Sequence, residues 1–166
     1  PYLGGREIMV DKLIKSFSEF GEVSVLTPDK YPKRKNISIY SADKEFEDIL
    51  KWAEKQRIDV INCHTFYLAD LAIFLSKELK KPLVFTLHGV FVNYYGEKYG
   101  DLLRKIYINS NKVITVSDGY RTDLGKHIGN SSKIITIKNG VNLKQIDSLS
   151  KTNEFYRKKN KVPLDK

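Results

Sequence analysis

Six short apolar runs, most of them separated by stretches of helical periodicity, constrain this chain more than anything else in it. They are "EVSVLTP" (22–28), "ISIY" (37–40), "DVINCH" (59–64), "PLVFTLHG" (82–89), "KVITVS" (112–117) and "KIITIKNG" (133–140). Each is rich in β-branched residues and too short for a helix, so each reads as a strand. The intervening segments put apolar residues three and four positions apart: Met9, Leu13, Phe17 and Phe20, then Phe46, Ile49, Leu50 and Ala53, then Leu68, Leu71, Leu75 and Leu79, and finally Leu102, Leu103 and Ile106. That spacing makes one apolar face per helix. Gly21 is placed to stop the first helix, and Ser117 to cap the helix that follows "KVITVS". Strands apolar throughout, alternating with amphipathic helices, imply a mostly parallel sheet covered by helices on both faces. The fold class is therefore α/β, Rossmann-like, with right-handed crossovers.

With 166 residues there is room for one domain of ordinary size, and 41% hydrophobic residues suffice for its core. No apolar run approaches the roughly 18 residues of a membrane span, and the first residues do not read as a secretory leader. The single cysteine, Cys63, allows no internal disulfide and reads as a buried thiol of a cytoplasmic protein. Lysine and arginine outnumber acidic residues 29 to 20, a net charge of +9 that favours an anionic partner. The excess gathers at Lys30, Lys33, Arg34 and Lys35 and again at Arg157, Lys158, Lys159 and Lys161. Neither cluster is interleaved with aromatics in a nucleic-acid-binding pattern, so no nucleic acid is expected.

In an open α/β sheet, ligands bind beyond the carboxyl ends of the strands. His64 ends the third run and His88 the fourth. Gly4 and Gly5 precede the first helix, where a bare backbone and free N–H groups suit an anion. His127 lies at a polar helix end and reads as structural or exposed. Three scattered histidines and one cysteine give no zinc spacing, and no P-loop, dinucleotide fingerprint or nucleophile elbow is present.

Taken in order, the segments resemble the N-terminal domain of a GT-B glycosyltransferase of the large retaining family 4. "PYLGGRE" is similar to that family's P-x-x-G-G-x-E, "DVINCHTFYLADLA" to its strand ending in histidine and the helix after it, and "KPLVFTLHGVF" to its T-x-H-G segment. "EVSVLTP", "KVITVSDGYRTDL" and "KIITIKNGVNLKQID" resemble the second strand, the next strand and helix, and the I-P-N-G-V-D-x-x-x-F junction. Lys138, Asn142 and Ile146 depart from that last pattern, where proline, aspartate and phenylalanine are usual.

The resemblance implies a sugar transfer from a nucleotide-diphosphate sugar to a glycan, lipid or small-molecule acceptor, with retention and without a bound metal or other cofactor. It implies a catalytic role beside the reacting sugar for His88, approach of the donor diphosphate for Gly4 and Gly5, and a place in the same cleft for His64. Acceptor contacts are expected at Phe91, Tyr94 and Tyr95 and at Lys33 and Arg34. Glu7 matches the motif with no clear role. Residues 1–142 would form the acceptor-side domain, and 143–166 a linker toward a nucleotide-sugar-binding domain that these residues do not include, so this stretch by itself is expected to be inactive. The location implied is the cytoplasm, with peripheral contact at the inner face of an anionic membrane. In the family, a first strand precedes the glycine loop and lies between the strands that here end at Thr27 and His64, so those two are expected to be separated by a gap one strand wide. Two other classes fit the same fold: a stand-alone sugar- or nucleotide-binding module, and a sugar-nucleotide epimerase-like domain.

Overall fold

The computed structural model describes residues 5–28, 30–89, 97–141 and 143. The elements run α1 (Gly5–Phe17), β1 (Val23–Thr27), β2 (Ile37–Ser41), α2 (Phe46–Glu54), β3 (Ile61–Cys63), α3 (Ala69–Glu78), β4 (Leu83–Leu87), α4 (Glu97–Asn109), β5 (Lys112–Thr115), α5 (Asp118–Ile128) and β6 (Ile134–Thr136), with a single 3₁₀ turn, Phe66–Leu68, leading into α3. All the expected strands form, and every pairing is parallel.

The strands fall into two ladders, β1-β2 and β3-β4-β5-β6. Among the described residues, β1 and β3 exchange no ladder hydrogen bond, so the sheet does not close across the expected gap. β4 is the best covered strand: Leu83 and Phe85 are fully buried and Leu87 nearly so. They meet Ala69, Ala72 and Ile73 of α3, Leu103, Ile106 and Tyr107 of α4, and Leu124 of α5 in one core. The other residues of α3 serve a second cluster, in which Leu71 and Leu75 pack on Ile49 and Ala53 of α2, with Leu26 of β1 and Tyr40 of β2 partly buried against them. α3 thus joins the two halves, because its apolar residues cover more than one face.

α1 departs from its sequence expectation in two ways. It starts at Gly5, ahead of the apolar periodicity, and ends at Phe17, where the Gly21 and Phe20 amides close on the Phe17 carbonyl. Its apolar stripe is only partly covered: Met9 and Leu13 are half-buried, Phe17 is 51% exposed and Phe20, past the helix end, 89%, and Ile14 is its one buried residue. What holds α1 to the neighbouring loop is polar. Asp11 takes an ion pair from Arg34 at 2.8 Å and a hydrogen bond from the Tyr31 hydroxyl at 2.7 Å, and pairs with Lys15 at 2.7 Å. Burial opposes ionisation of Asp11, but these three donors outweigh it and hold its pKa at about 2.

α5 is capped as expected, Ser117 Oγ accepting from the Tyr120 amide, and it ends at Gly129 in the left-handed conformation (φ 76°). His127 is structural: its ring lies against Gly100 of α4, so close that a Cβ there would come within 2.5 Å of Nε2. Lys138, at the position where the family usually has proline, pairs with Asp118 at 3.0 Å.

Candidate functional site

The site is built by strand parity. β3 and β4 pair in parallel with Asn62 opposite Val84 and Cys63 opposite Phe85. Alternate residues of a strand share a face, so Asn62 and His64 project to the same side as Val84, Thr86 and His88. Leu83, Phe85 and Leu87 take the opposite side, into the core. The shared face carries two polar rungs of equal length, each joining residues 24 apart in sequence. In the first, Thr86 Oγ1 donates to Asn62 Oδ1 at 3.1 Å. In the second, two residues further along each strand, His64 Nδ1 and His88 Nε2 stand 3.1 Å apart, with the rings tilted by 35°. The sequence signal was there in "NCH" and "TLH": a polar residue and then a histidine, two apart, at the ends of adjacent strands.

Both rings are partly buried, and both are held below the usual imidazole range. For His64, burial is the larger cause, followed by the like charges of His88 and Arg6, and its pKa falls from 6.5 to about 4. For His88, burial and Arg6 lower it while Glu7 works in the other direction. The pair is therefore neutral at pH 7, and one ring donates the shared proton to the other. Beneath His64, the Cys63 thiol donates to the Thr65 carbonyl, and burial pushes its pKa up to about 11, so it is no nucleophile.

The first turn of α1 carries charges that act on the histidines. Arg6 acts on both rings and Glu7 on His88. The two α1 side chains bond each other, Arg6 Nε donating to Glu7 Oε1 at 2.8 Å. Sequence reading passed over Arg6; its position between Gly5 and Glu7 in the first helical turn was the available signal. Gly5 opens this turn, and a Cβ there would meet no atom within 4 Å, so packing does not demand a glycine.

Of the other residues singled out in the sequence, Arg34 is engaged with Asp11 and sits 5.2 Å over the Tyr31 ring, while Lys33 is exposed beside it. Gly4, Phe91, Tyr94 and Tyr95 lie outside the described residues. The described residues contain no group of three or more His, Cys, Asp or Glu side chains fit to hold a metal ion, and no helix long and apolar enough to cross a membrane.

Stability should fall with pH through this pair. The unfolded chain protonates His64 near pH 6.5, whereas the folded chain resists until about 4. In that window the unfolded state binds more protons, so its free energy drops relative to the native state as pH falls. Denaturant midpoints of wild type should thus decline between pH 7 and 5, and His64→Asn should flatten the slope. An equal slope in the two proteins would show that His64 is not the group responsible.

No curated protein sequence matches the chain. Among solved structures, it is similar to Anabaena Alr3699/HepE in complex with UDP and glucose, at 15% identity and a TM-score of 0.66, over 92% of this chain and 47% of that one. The same protein with UDP-glucose matches at 14% identity and a TM-score of 0.65, over 93% and 47%. The apo lipopolysaccharide outer core galactosyltransferase WaaB matches at 13% identity and a TM-score of 0.60, over 84% and 43%. The chain thus spans about half the length of the structures it resembles, and at these identities the likeness is one of fold. The family model for Glycosyltransferase Family 4 matches residues 3–145, so the chain belongs to Glycosyltransferase Family 4.

Proposed function

We propose that the whole protein moves a sugar from a nucleotide-diphosphate sugar to a glycan, lipid or small-molecule acceptor with retention at the anomeric carbon, and that this chain is its acceptor-side half. The observation that carries this reading is the neutral His64–His88 pair at the carboxyl ends of two parallel strands, within electrostatic reach of the first turn of a glycine-started helix. A neutral ring can orient an uncharged sugar hydroxyl by hydrogen bonds without drawing in a competing anion. Gly4 and Gly5 would admit the donor diphosphate to the α1 N-terminus, where free N–H groups and Arg6 offset the charge that develops as the sugar leaves. With cations and helix-end donors in that role, the reading needs no metal or other cofactor. Residues 143–166 would lead toward the half that holds the nucleotide.

The neighbours that carry UDP with glucose, or UDP-glucose, support a nucleotide-sugar donor. Exposed Lys30, Lys33 and Lys35 suit an acceptor phosphate or anionic headgroups at the membrane surface, each cation being worth about 1 kcal/mol there. Phe91, Tyr94 and Tyr95 would add aromatic contacts to acceptor sugars.

The test is incubation of the whole protein with a panel of sugar nucleotides, UDP-glucose first, and a mixture of glycan and lipid acceptors. Nucleotide release and the anomeric configuration of the product are followed by NMR. Transfer with the donor's configuration kept is expected. An inverted product would overturn retention, and tight binding without release of nucleotide by any donor would replace the transferase with a binding module.

A further inference from the structure

We propose that His64 is a positioning residue: its Nδ1 engages Nε2 of His88, so that His88 meets its substrate with Nδ1, in the tautomer that the direction of the shared hydrogen bond sets. The argument is geometric. An imidazole has two nitrogens, and a neutral one has one donor and one acceptor. His64 Nδ1 at 3.1 Å occupies the Nε2 side of His88. Whichever ring donates, only Nδ1 of His88 is left for another partner, and its protonation is set by the direction of the shared bond. The rung below fixes the approach, since Thr86 and Asn62 hold β4 and β3 in the same diagonal register two residues earlier. The charged and titratable groups around the pair are Arg6 and Glu7 of α1 and the Cys63 thiol of β3. Arg6 disfavours a second proton on either ring, which keeps the single shared bond intact.

This inference differs from a substrate contact for His64 and makes a distinct demand on substitutions. The amide of asparagine places a polar atom close to where histidine has Nδ1; glutamine reaches instead toward the Nε2 position. His64→Asn should therefore keep His88 in place, while His64→Gln and His64→Leu should not.

The experiment reads the rings directly. With ¹⁵N-histidine in the 166-residue chain at pH 7.5, His88 should show one tautomer and a coupling between its Nε2 and His64 Nδ1 across the hydrogen bond. His64→Leu and His64→Gln should give a mixture of His88 tautomers, and His64→Asn a single one. A tautomer mixture in wild type, absence of the coupling, or a His88 spectrum unchanged in His64→Leu would each overturn the proposal. Should the leucine variant not fold, the wild-type spectrum and the Asn–Gln comparison still decide. A second arm rests on the transferase reading: in the whole protein, His64→Leu should lower kcat about tenfold to a hundredfold, the usual cost of losing a partner that orients a functional histidine, with the KM for the sugar nucleotide little changed and kcat recovered in His64→Asn. Absence of transfer in wild type would defeat that reading and leave the ring measurements standing.

Discussion

Replacing His88 by alanine in the whole protein should lower kcat by roughly tenfold to a thousandfold, the range seen when one polar group beside a reaction centre is deleted, and should leave the protein folded. The first half of this expectation rests on position. His88 follows Leu87, the last residue of the most deeply buried strand, so its backbone is held by the core while its ring lies partly open beside His64, within electrostatic reach of Arg6 and Glu7. The second half rests on magnitudes. Removing the ring leaves no cavity in the apolar core, which lies on the other face of β4. It does leave His64 Nδ1 without its partner, at a cost of about 1–3 kcal/mol. That is less than the roughly 5–15 kcal/mol by which a domain is stable, so melting should drop by several degrees and not collapse. The measurements are kcat and KM for the sugar nucleotide, with thermal unfolding of the same sample. Unchanged kcat/KM would remove His88 from the reaction. A mutant already unfolded at 25 °C would make it a structural residue.

Such a test could be framed from the sequence because strand ends are legible there. "PLVFTLHG" is apolar enough to be a central strand, and the glycine after His88 marks where it stops. The pairing of His88 with His64 was not legible, since it depends on the register between β3 and β4, and a single strand does not state which residue of its neighbour it faces. Once Asn62 is known to sit opposite Val84, the diagonal from Asn62 to Thr86 and the next one from His64 to His88 follow from the pleat alone. The start of α1 was misplaced for a local reason. No Ser, Thr, Asp or Asn marks an N-cap, and the apolar periodicity only begins at Ile8, whereas the backbone is already helical at Gly5. Arg34 is expected at the acceptor because it belongs to a run of cations, and the sequence does not show its partner within the fold. Its ion pair with Asp11 spans 23 residues of sequence and needed the fold to be seen. The exposure of Phe17 and Phe20 is likewise a tertiary fact: periodicity tells which residues share a helix face, not whether that face is covered.

The same uneven coverage leads to the second large effect: amides in β1 and β2 should exchange with solvent at least about a hundredfold faster than those in β4 and β5. A hundredfold corresponds to about 2.7 kcal/mol in opening free energy. β1 and β2 pair only with each other among the described residues, and all ten of their residues are no more than partly buried. A two-stranded ladder of this kind is marginal by itself. α1 adds little, since Ile14 is its one buried residue and the Asp11–Arg34 pair, 28% exposed on each side, belongs to a class worth about 0–1 kcal/mol. What holds β1 and β2 is the edge of the α2–α3 cluster at Leu26 and Tyr40. β4, in contrast, is paired on both sides and sends Leu83, Phe85 and Leu87 into a core shared by three helices. Opening of the first unit therefore need not disturb the second. Hydrogen exchange of the 166-residue chain, read by NMR, measures this directly, and equal protection in the two ladders would show that they open together. The division runs through the candidate site: Arg6 and Glu7 ride on the loosely held α1, while His64 and His88 stand on the firm sheet. A ligand touching both sides must tighten the first unit by the part of its binding energy that depends on α1 being in place. On the transferase reading, UDP-glucose added to the whole protein should slow exchange in α1, β1 and β2 and leave β4 and β5 nearly as they were. Slowing confined to β4 and β5 would mean that the α1 turn takes no part in holding the donor.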